Sequence, residues 1–389
     1  MTENSTDAIQ KFEIQIEESV LTDLKKRLEM TRWVEAETAA DWSQGIPLSY
    51  MREIHHSWLH DYDWRACEKK LNNLGSYRTR IDGLDIHFFH LRSPHPDARP
   101  LIMTHGWPGS VIEFLKISPL LTDPTRHGGQ AEEAFHLVLP SLPGYGFSGK
   151  PTGPGWGVAK IGQAWGELMR RLGYEHFGAQ GGDWGAPISL ATGRAHPDKC
   201  KGVHLNMAPV RPDDEIIANA QAEEKKALAD FARHQQWGTG YSQQQSTRPQ
   251  TLGYSLVDSP LGQAAWILEK FHAWSDCRGH PENIFTRTEL LDNVMIYWLT
   301  ASGGSSARLY WESFNTPNTD PFDLPVGVSR FPHDIIKPTR GWAARQYTNI
   351  VFWREHETGG HFAAMEKPDA LARDIRDCFG EIWPGGGLA

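Results

Sequence analysis

The segment Gly-Gly-Asp-Trp-Gly at residues 181–185 contains the residue whose type and setting best suit chemistry, Asp183. A short apolar run typical of a strand precedes the segment, and a stretch typical of a helix follows it. A tight turn between strand and helix lifts its central side chain above the sheet, and flanking glycines let both elements approach closely. A carboxylate with a reference pKa near about 4 is ionised at neutral pH and needs no base to act as a nucleophile. We therefore predict that Asp183 attacks a saturated carbon and forms an ester.

A second loop, His-Gly-Trp-Pro at residues 105–108, lies upstream of this turn. Backbone amides in such a loop, and at the start of a helix, stabilise negative charge that develops at a reacting centre. We expect the amides of Trp107 and Trp184 to form an oxyanion hole, while their indole rings line a pocket or belong to the core. The alternative is that residues 181–185 are only a polar turn, but the order of strand, turn and helix favours catalysis.

An ester on Asp183 needs a base that activates water. Among 18 histidines, His361 lies in a late glycine-rich loop, between a predicted strand and the last predicted helix, which favours it over His356. Asp334 follows another predicted strand and is expected to orient the imidazole, although it would also suit a helix N-cap. Three other carboxylates compete for that role: Asp323, Glu355 and Glu357.

Particular elements are predicted to position these side chains. Ser110 and Glu113 have the spacing of a capping box, which predicts a helix directly after the 105–108 loop. Asp82-Gly83 suits a two-residue hairpin turn. Strands are predicted at 101–104, 135–139, 176–180, 326–329 and 350–353, and helices at 161–172, 186–195 and 368–379.

From residue 101, short apolar runs alternate with helical stretches, which is typical of a mostly parallel sheet covered by helices on both faces. The first hundred residues contain three apolar stripes at helical spacing, and the alternation is lost again between about 209 and 316. The fold class is therefore α/β, a mostly parallel sheet with helices on both faces, a helical cap and an N-terminal helical extension. The predicted domains are 1–100 (N-terminal region), 101–208 (first half of the core), 209–316 (cap) and 317–389 (second half of the core).

Composition limits the classes of partner and the cellular location that we expect for this protein. The formal net charge is -9, from 39 basic and 48 acidic residues, which gives no reason to expect nucleic acid as a partner. The four cysteines form no C-x-x-C pair, which favours a reducing compartment. The polar start at residues 1–7, and the lack of an apolar stretch of roughly 20 residues, predict a soluble cytoplasmic protein without a membrane anchor. Whether the chain forms a homo-oligomer stays open.

Four motifs together resemble the microsomal-type epoxide hydrolases, and the region from Phe12 to Leu115 resembles the N-terminal domain of that family. The motifs lie at residues 105–110, 142–146, 181–185 and 359–364. The resemblance implies two cap tyrosines that hydrogen-bond the epoxide oxygen and protonate it, which by motif are Tyr241 and Tyr310, with Tyr254 and Tyr297 as decoys. Membrane-bound members carry an N-terminal anchor, which we do not expect in this protein, and they have Glu where Asp334 stands.

The resemblance thus implies an α/β-hydrolase fold with a helical cap. It also implies an enzyme that converts an epoxide and water to a vicinal diol, with no metal or organic cofactor. A haloalkane dehalogenase is the nearest alternative, since it also uses an Asp-Trp pair at this turn. The discriminating feature is whether Tyr241 and Tyr310 converge above Asp183, because an alkoxide needs an acid and a halide does not. A ligand-binding protein that kept the fold and lost turnover is a further alternative.

Overall fold

The computed structural model describes residues 8–385, and these contain a sheet of nine strands. The strand order across the sheet is β1-β2-β3-β5-β4-β6-β7-β8-β9. Pairing is antiparallel from β1 to β5 and parallel from β5 to β9, so the predicted mostly parallel sheet is confirmed. The strands are β1 (Gln10–Lys11), β2 (Ser76–Ile81), β3 (Leu84–Leu91), β4 (Arg99–Thr104), β5 (Phe135–Pro140), β6 (Phe177–Gly181), β7 (Cys200–Leu205), β8 (Val326–Arg330) and β9 (Ile350–Glu355).

The predicted hairpin joins β2 to β3, where Ile81 pairs with Leu84 around a two-residue turn. Asp82 and Gly83 both adopt positive φ, at 47° and 81°, as a type I′ turn requires. The three apolar stripes before the hairpin also form helices and bury their apolar faces. These helices are α1 (Glu18–Glu29), α2 (Leu48–His60) and α3 (Trp64–Asn72).

Helices alternate with the strands of the parallel half of the sheet, as expected from a fold in which each crossover packs back onto a face. Those that precede β7 are α4 (Ser118–Thr122), α5 (Val158–Arg171) and α6 (Gly185–Ala195). The helix predicted directly after the 105–108 loop forms as a 3-10 helix at Val111–Phe114, but the predicted capping box is absent. Ser110 accepts a hydrogen bond from the amide of Ile112, while the Glu113 side chain packs against Gly109 and does not complete a capping box.

A long helical insertion separates β7 from β8, in the stretch where the sequence loses its alternation. We call these seven helices the cap helices. They are α7 (Asp214–Asn219), α8 (Ala222–Arg233), α9 (Gly240–Thr247), α10 (Pro249–Asp258), α11 (Pro260–Ala273), α12 (Arg287–Leu299) and α13 (Gly303–Ser313). The remaining helices are α14 (Arg340–Ala343), α15 (Ala363–Glu366) and α16 (Pro368–Ile382).

The ends of the parallel strands collect the predicted site residues. The 105–108 loop follows β4, Asp183 follows β6, Asp334 follows β8 and His361 follows β9. Because the carboxyl ends of parallel strands meet at one edge of a sheet, side chains from distant segments are brought together there. No helix within residues 8–385 has the length and apolar character to cross a bilayer, and the polar start at residues 1–7 lies outside the described residues.

Candidate active site

Asp183 occupies a sharp turn between β6 and α6, with a positive φ of 46°. A non-glycine residue rarely adopts this conformation, and at a turn of this kind it marks strain held by the surrounding structure. Both neighbouring glycines are required by close packing, since a Cβ at Gly181 would overlap the backbone of Gly185, and a Cβ at Gly185 would overlap the carbonyl oxygen of Thr104. The turn therefore holds the Asp183 carboxylate above the sheet, as the sequence predicts.

The 105–108 loop lies directly against this carboxylate. The backbone amide of Trp107 donates a hydrogen bond of 2.8 Å to Oδ1 of Asp183. Gly106 also contacts the Asp183 side chain, and a Cβ there would overlap Oδ1. Trp184 follows Asp183 and is the N-cap residue of α6, which places its amide at the start of that helix. One amide is thus in place for an oxyanion at Oδ1, and the part of Trp184 stays a prediction.

His361 lies between two carboxylates. Its Nδ1 is 2.7 Å from Oδ1 of Asp334, and its Nε2 is 3.3 Å from Oδ2 of Asp183. Burial lowers the pKa of His361, but the charges and hydrogen bonds of Asp334 and Asp183 outweigh burial and hold this pKa well above its ordinary value. The structure therefore brings together Asp183, His361 and Asp334, which the sequence predicts as the nucleophile, the base and the carboxylate that orients the base.

The competing residues lie elsewhere. His356 pairs with Asp374 at 2.6 Å and stacks on Phe331. Asp334 begins no helix, and its Oδ1 also accepts a hydrogen bond from the Ile335 amide. The competing carboxylates are engaged away from His361 or exposed: Asp323 accepts from Thr348, Glu355 pairs with Arg330, and Glu357 is exposed.

Tyr241 and Tyr310 approach each other from the cap helices α9 and α13. Their ring centroids are 5.8 Å apart, and both side chains are buried. Burial raises the pKa of Tyr310, and the nearby Tyr241 and Asp183 raise it further, so the phenol is held in its protonated form. The Lys270 ammonium lies 4.9 Å from the centroid of the Tyr241 ring. A protonated phenol close to the carboxylate can donate a hydrogen bond to an oxygen, and an alkoxide leaving group requires such a donor.

The two decoy tyrosines have other roles. Tyr254 is 69% exposed on α10. Tyr297 is buried on α12, where its hydroxyl donates a hydrogen bond of 2.7 Å to the carbonyl oxygen of Gly109. Neither side chain lines the cavity that Asp183 shares with Tyr241 and Tyr310.

A cavity of about 760 Å³ opens at this site, between the core and the cap helices. Asp183, Trp184, Tyr241 and Tyr310 all line it, together with largely apolar side chains. Sites for small molecules are typically concave and apolar, with a few polar groups that fix orientation. Within residues 8–385, no group of three or more His, Cys, Asp or Glu side chains has an arrangement that could hold a metal ion.

The loop that carries His361 is held by residues that the sequence did not reveal. The His361 amide donates to the carbonyl oxygen of Trp274, and the Gly359 amide donates to Oδ2 of Asp276. Glu366 accepts from the amides of Asp276 and Phe362, and burial raises its pKa to about 7. The contacts made by Trp274 and Asp276 join segments far apart in the chain, so no local sequence pattern predicts them.

Comparison with known proteins agrees with this geometry. A family model described as "Epoxide hydrolase N terminus" matches residues 9–114, and one described as "alpha/beta hydrolase fold" matches residues 99–256. A relative from Stigmatella aurantiaca, provisionally named an epoxide hydrolase, is 51% identical over 375 residues, which cover 96% of this chain and 85% of the relative. Epoxide hydrolase 1 from Oryctolagus cuniculus is 34% identical, covering 95% of this chain and 88% of its own.

Solved structures give the same result. The Aspergillus niger epoxide hydrolase is 35% identical and superposes with a TM-score of 0.87, covering 97% of this chain and 98% of its own. The juvenile hormone epoxide hydrolase of Bombyx mori is 31% identical with a TM-score of 0.89, covering 97% and 95%. The chain therefore belongs to the microsomal-type epoxide hydrolase family and has the α/β-hydrolase fold.

Proposed function

We propose that this protein hydrolyses an epoxide to a vicinal diol through a covalent ester on Asp183. The observation that carries the proposal is the position of the Asp183 carboxylate. Its Oδ1 accepts from the Trp107 amide, its Oδ2 lies 3.3 Å from Nε2 of His361, and two buried phenols share its cavity. The site thus contains a nucleophilic oxygen on Asp183, a base for the later hydrolysis in His361, and proton donors for the leaving oxygen in the two phenols.

In the first step, Oδ2 of Asp183 attacks one epoxide carbon and the bond from that carbon to the ring oxygen breaks. Oδ1 is occupied by the Trp107 amide, which leaves Oδ2 as the attacking atom. Tyr241 and Tyr310 donate hydrogen bonds to the departing oxygen, and one of them supplies the proton that makes it a hydroxyl group. The product of this step is a hydroxyalkyl ester of Asp183.

In the second step, Nε2 of His361 removes a proton from water, and the resulting hydroxide attacks the carbonyl carbon of the ester. The negative charge that develops on Oδ1 is stabilised by the amide of Trp107, and by that of Trp184. The tetrahedral intermediate then collapses: the bond between the carboxyl carbon and Oδ2 breaks, the departing oxygen takes the proton from His361, and the diol leaves with Oδ2. The proton of the new Asp183 carboxyl group returns to the tyrosine that gave up its own, so every group regains its starting state. Esterification removes the charge of Asp183, which is one of the groups that raise the pKa of His361. The imidazole therefore becomes easier to deprotonate once the ester has formed, which is when a neutral base is needed.

Repeated turnover in heavy-oxygen water tests this route. Water oxygen enters the carboxylate of Asp183 at each hydrolysis, so the peptide that contains Asp183 should gain mass. The peptide that contains Asp374, a buried carboxylate outside the site, is the internal control and should stay unlabelled. Diol formation without label on Asp183 would refute the ester route. Halide release from a chloroalkane, compared with diol formation from styrene oxide, separates the dehalogenase alternative.

Several further features are proposed with this function. The apolar cavity of about 760 Å³ supports a bulky or aromatic epoxide as the substrate, with water as the second reactant. The domain division at residues 100, 208 and 316 fits the position of the cap helices between β7 and β8. The four cysteines are buried and free, which supports a reducing location such as the cytoplasm.

A further inference from the structure

The cap helix α12 packs against the loop that carries the Trp107 amide. Oγ of Ser110 donates a hydrogen bond of 2.8 Å to Oδ1 of Asn293, and Nδ2 of Asn293 donates one of 2.8 Å to the carbonyl oxygen of Pro108. One helical turn later, the Tyr297 hydroxyl donates to the carbonyl oxygen of Gly109 at 2.7 Å. Asn293 is 0% exposed and Tyr297 is 1% exposed. Three consecutive loop residues are thus held by two buried side chains of one helix.

These contacts begin at the residue directly after Trp107. The segment between β4 and the 3-10 helix at Val111–Phe114 has no regular secondary structure, so its own backbone hydrogen bonds do not fix the direction of the Trp107 amide. An oxyanion donor must be aimed within a few tenths of an ångström to be effective. On the side of the loop before Trp107, Nδ1 of His105 lies 3.0 Å from the carbonyl oxygen of Gly106. The bonds from Asn293 and Tyr297 hold the side of the loop after Trp107.

We propose that Asn293 and Tyr297 are positioning residues that act through the backbone amide of Trp107. They touch neither the substrate nor the reacting atoms. The proposal rests on the ester route, because it assumes that the Trp107 amide stabilises charge on Oδ1 of Asp183.

The opposite face of α12 is held by the N-terminal region, which extends this support. The Tyr62 hydroxyl donates a hydrogen bond of 2.7 Å to Oδ1 of Asp292, and Nε1 of Trp58 donates to the sulfur of Met295 at 3.2 Å. Tyr62 and Trp58 therefore hold the helix that holds the loop with the Trp107 amide. These two side chains extend the support of the loop into the N-terminal region.

The two chemical steps should respond differently when this support is lost. During ester formation the carboxylate of Asp183 loses negative charge, so a hydrogen bond to Oδ1 contributes little to that transition state. During ester hydrolysis a full charge returns to Oδ1, and the amide then stabilises the transition state. A merely structural part for Asn293 would lower stability and reduce both steps together.

The experiment measures both steps in Asn293→Ala and Tyr297→Phe by rapid quench and intact mass, with styrene oxide as the substrate. Asn72→Ala and Tyr347→Phe are the matched controls. Asn72 also makes two hydrogen bonds to backbone, at 2.8 Å to the amide and the carbonyl oxygen of Ile14. The Tyr347 hydroxyl is buried and has no hydrogen-bond partner among the described residues.

We expect ester hydrolysis to slow about tenfold in each site variant, with ester formation changed less than about twofold. The fraction of enzyme present as ester then rises at steady state, while both controls keep the wild-type ratio. Equal slowing of the two steps, or an unchanged ratio, would overturn the proposal. If Asn293→Ala fails to fold, Tyr297→Phe still tests it, because only one hydroxyl is lost. If wild-type enzyme forms diol and never carries an ester, the ester route itself has failed.

Discussion

Replacing Asp334 with asparagine tests how His361 is activated. Nδ1 of His361 lies 2.7 Å from Oδ1 of Asp334, and the two side chains are only 3% and 2% exposed. Asparagine has nearly the same shape and can still accept a hydrogen bond, but it carries no charge. The imidazolium that forms when His361 takes a proton from water then lacks its ionic partner.

The size of the effect follows from this distance. At an effective dielectric constant of about 20, unit charges about 2.7 Å apart attract each other by about 6 kcal/mol. The amide dipole of asparagine recovers part of that energy. A change of about 1.4 kcal/mol in activation free energy changes a rate tenfold. We expect ester hydrolysis to slow by roughly 1,000- to 10,000-fold. Ester formation needs no base, so its rate should change by less than about tenfold.

Rapid mixing with excess epoxide, acid quench and intact mass measurement report both steps. Asp334→Asn should accumulate nearly all of its enzyme as ester, with one substrate mass added. Asp334→Glu keeps the charge and should restore most of the hydrolysis rate. The reasoning would be refuted if Asp334→Asn lost diol formation without accumulating ester, or if both steps slowed by the same factor.

Three other predictions follow from the site and its surroundings. Tyr241→Phe and Tyr310→Phe should each slow ester formation by roughly 100-fold and leave ester hydrolysis unchanged, because each removes a proton donor to the leaving oxygen. The same quench assay measures the rates of both steps. Hydrolysis of preformed ester should slow as pH falls from about 8 to about 5, since only neutral His361 accepts a proton, and a flat rate contradicts this. Asp374→Ala should lower the free energy of unfolding by about 3 kcal/mol, because His356, 2.6 Å away, loses its buried partner. Denaturant titration measures this loss, and the turnover rate of the folded fraction should not change.

Features that depend on a few neighbouring residues were predictable. The hairpin at Asp82-Gly83 forms as expected, because the turn type is chosen by two residues. The glycines around Asp183 indicated a strained turn for the same local reason, and the structure has one there. The glycine-rich loop likewise singled out His361 among 18 histidines.

Prediction from short sequence patterns fails where contacts between distant segments set the local structure. Ser110 and Glu113 have the spacing of a capping box, yet the segment forms a 3-10 helix whose Ser110 side chain bonds Asn293. The sequence also gives no sign of the hydrogen bond from the Tyr297 hydroxyl to the carbonyl oxygen of Gly109. Both contacts are made by α12, whose partners in the loop lie far away in the chain.

The sequence by itself determined the strained turn at Asp183, the late glycine-rich loop that carries His361, and the order of strands and helices, because these are encoded within short segments. Only the tertiary structure decided how the loop with the Trp107 amide is held and which tyrosines share a cavity with Asp183. The physical reason is sequence separation, since Ser110 and Asn293 are 183 positions apart. Their hydrogen bond exists only after the sheet, the N-terminal region and the cap helices have packed together.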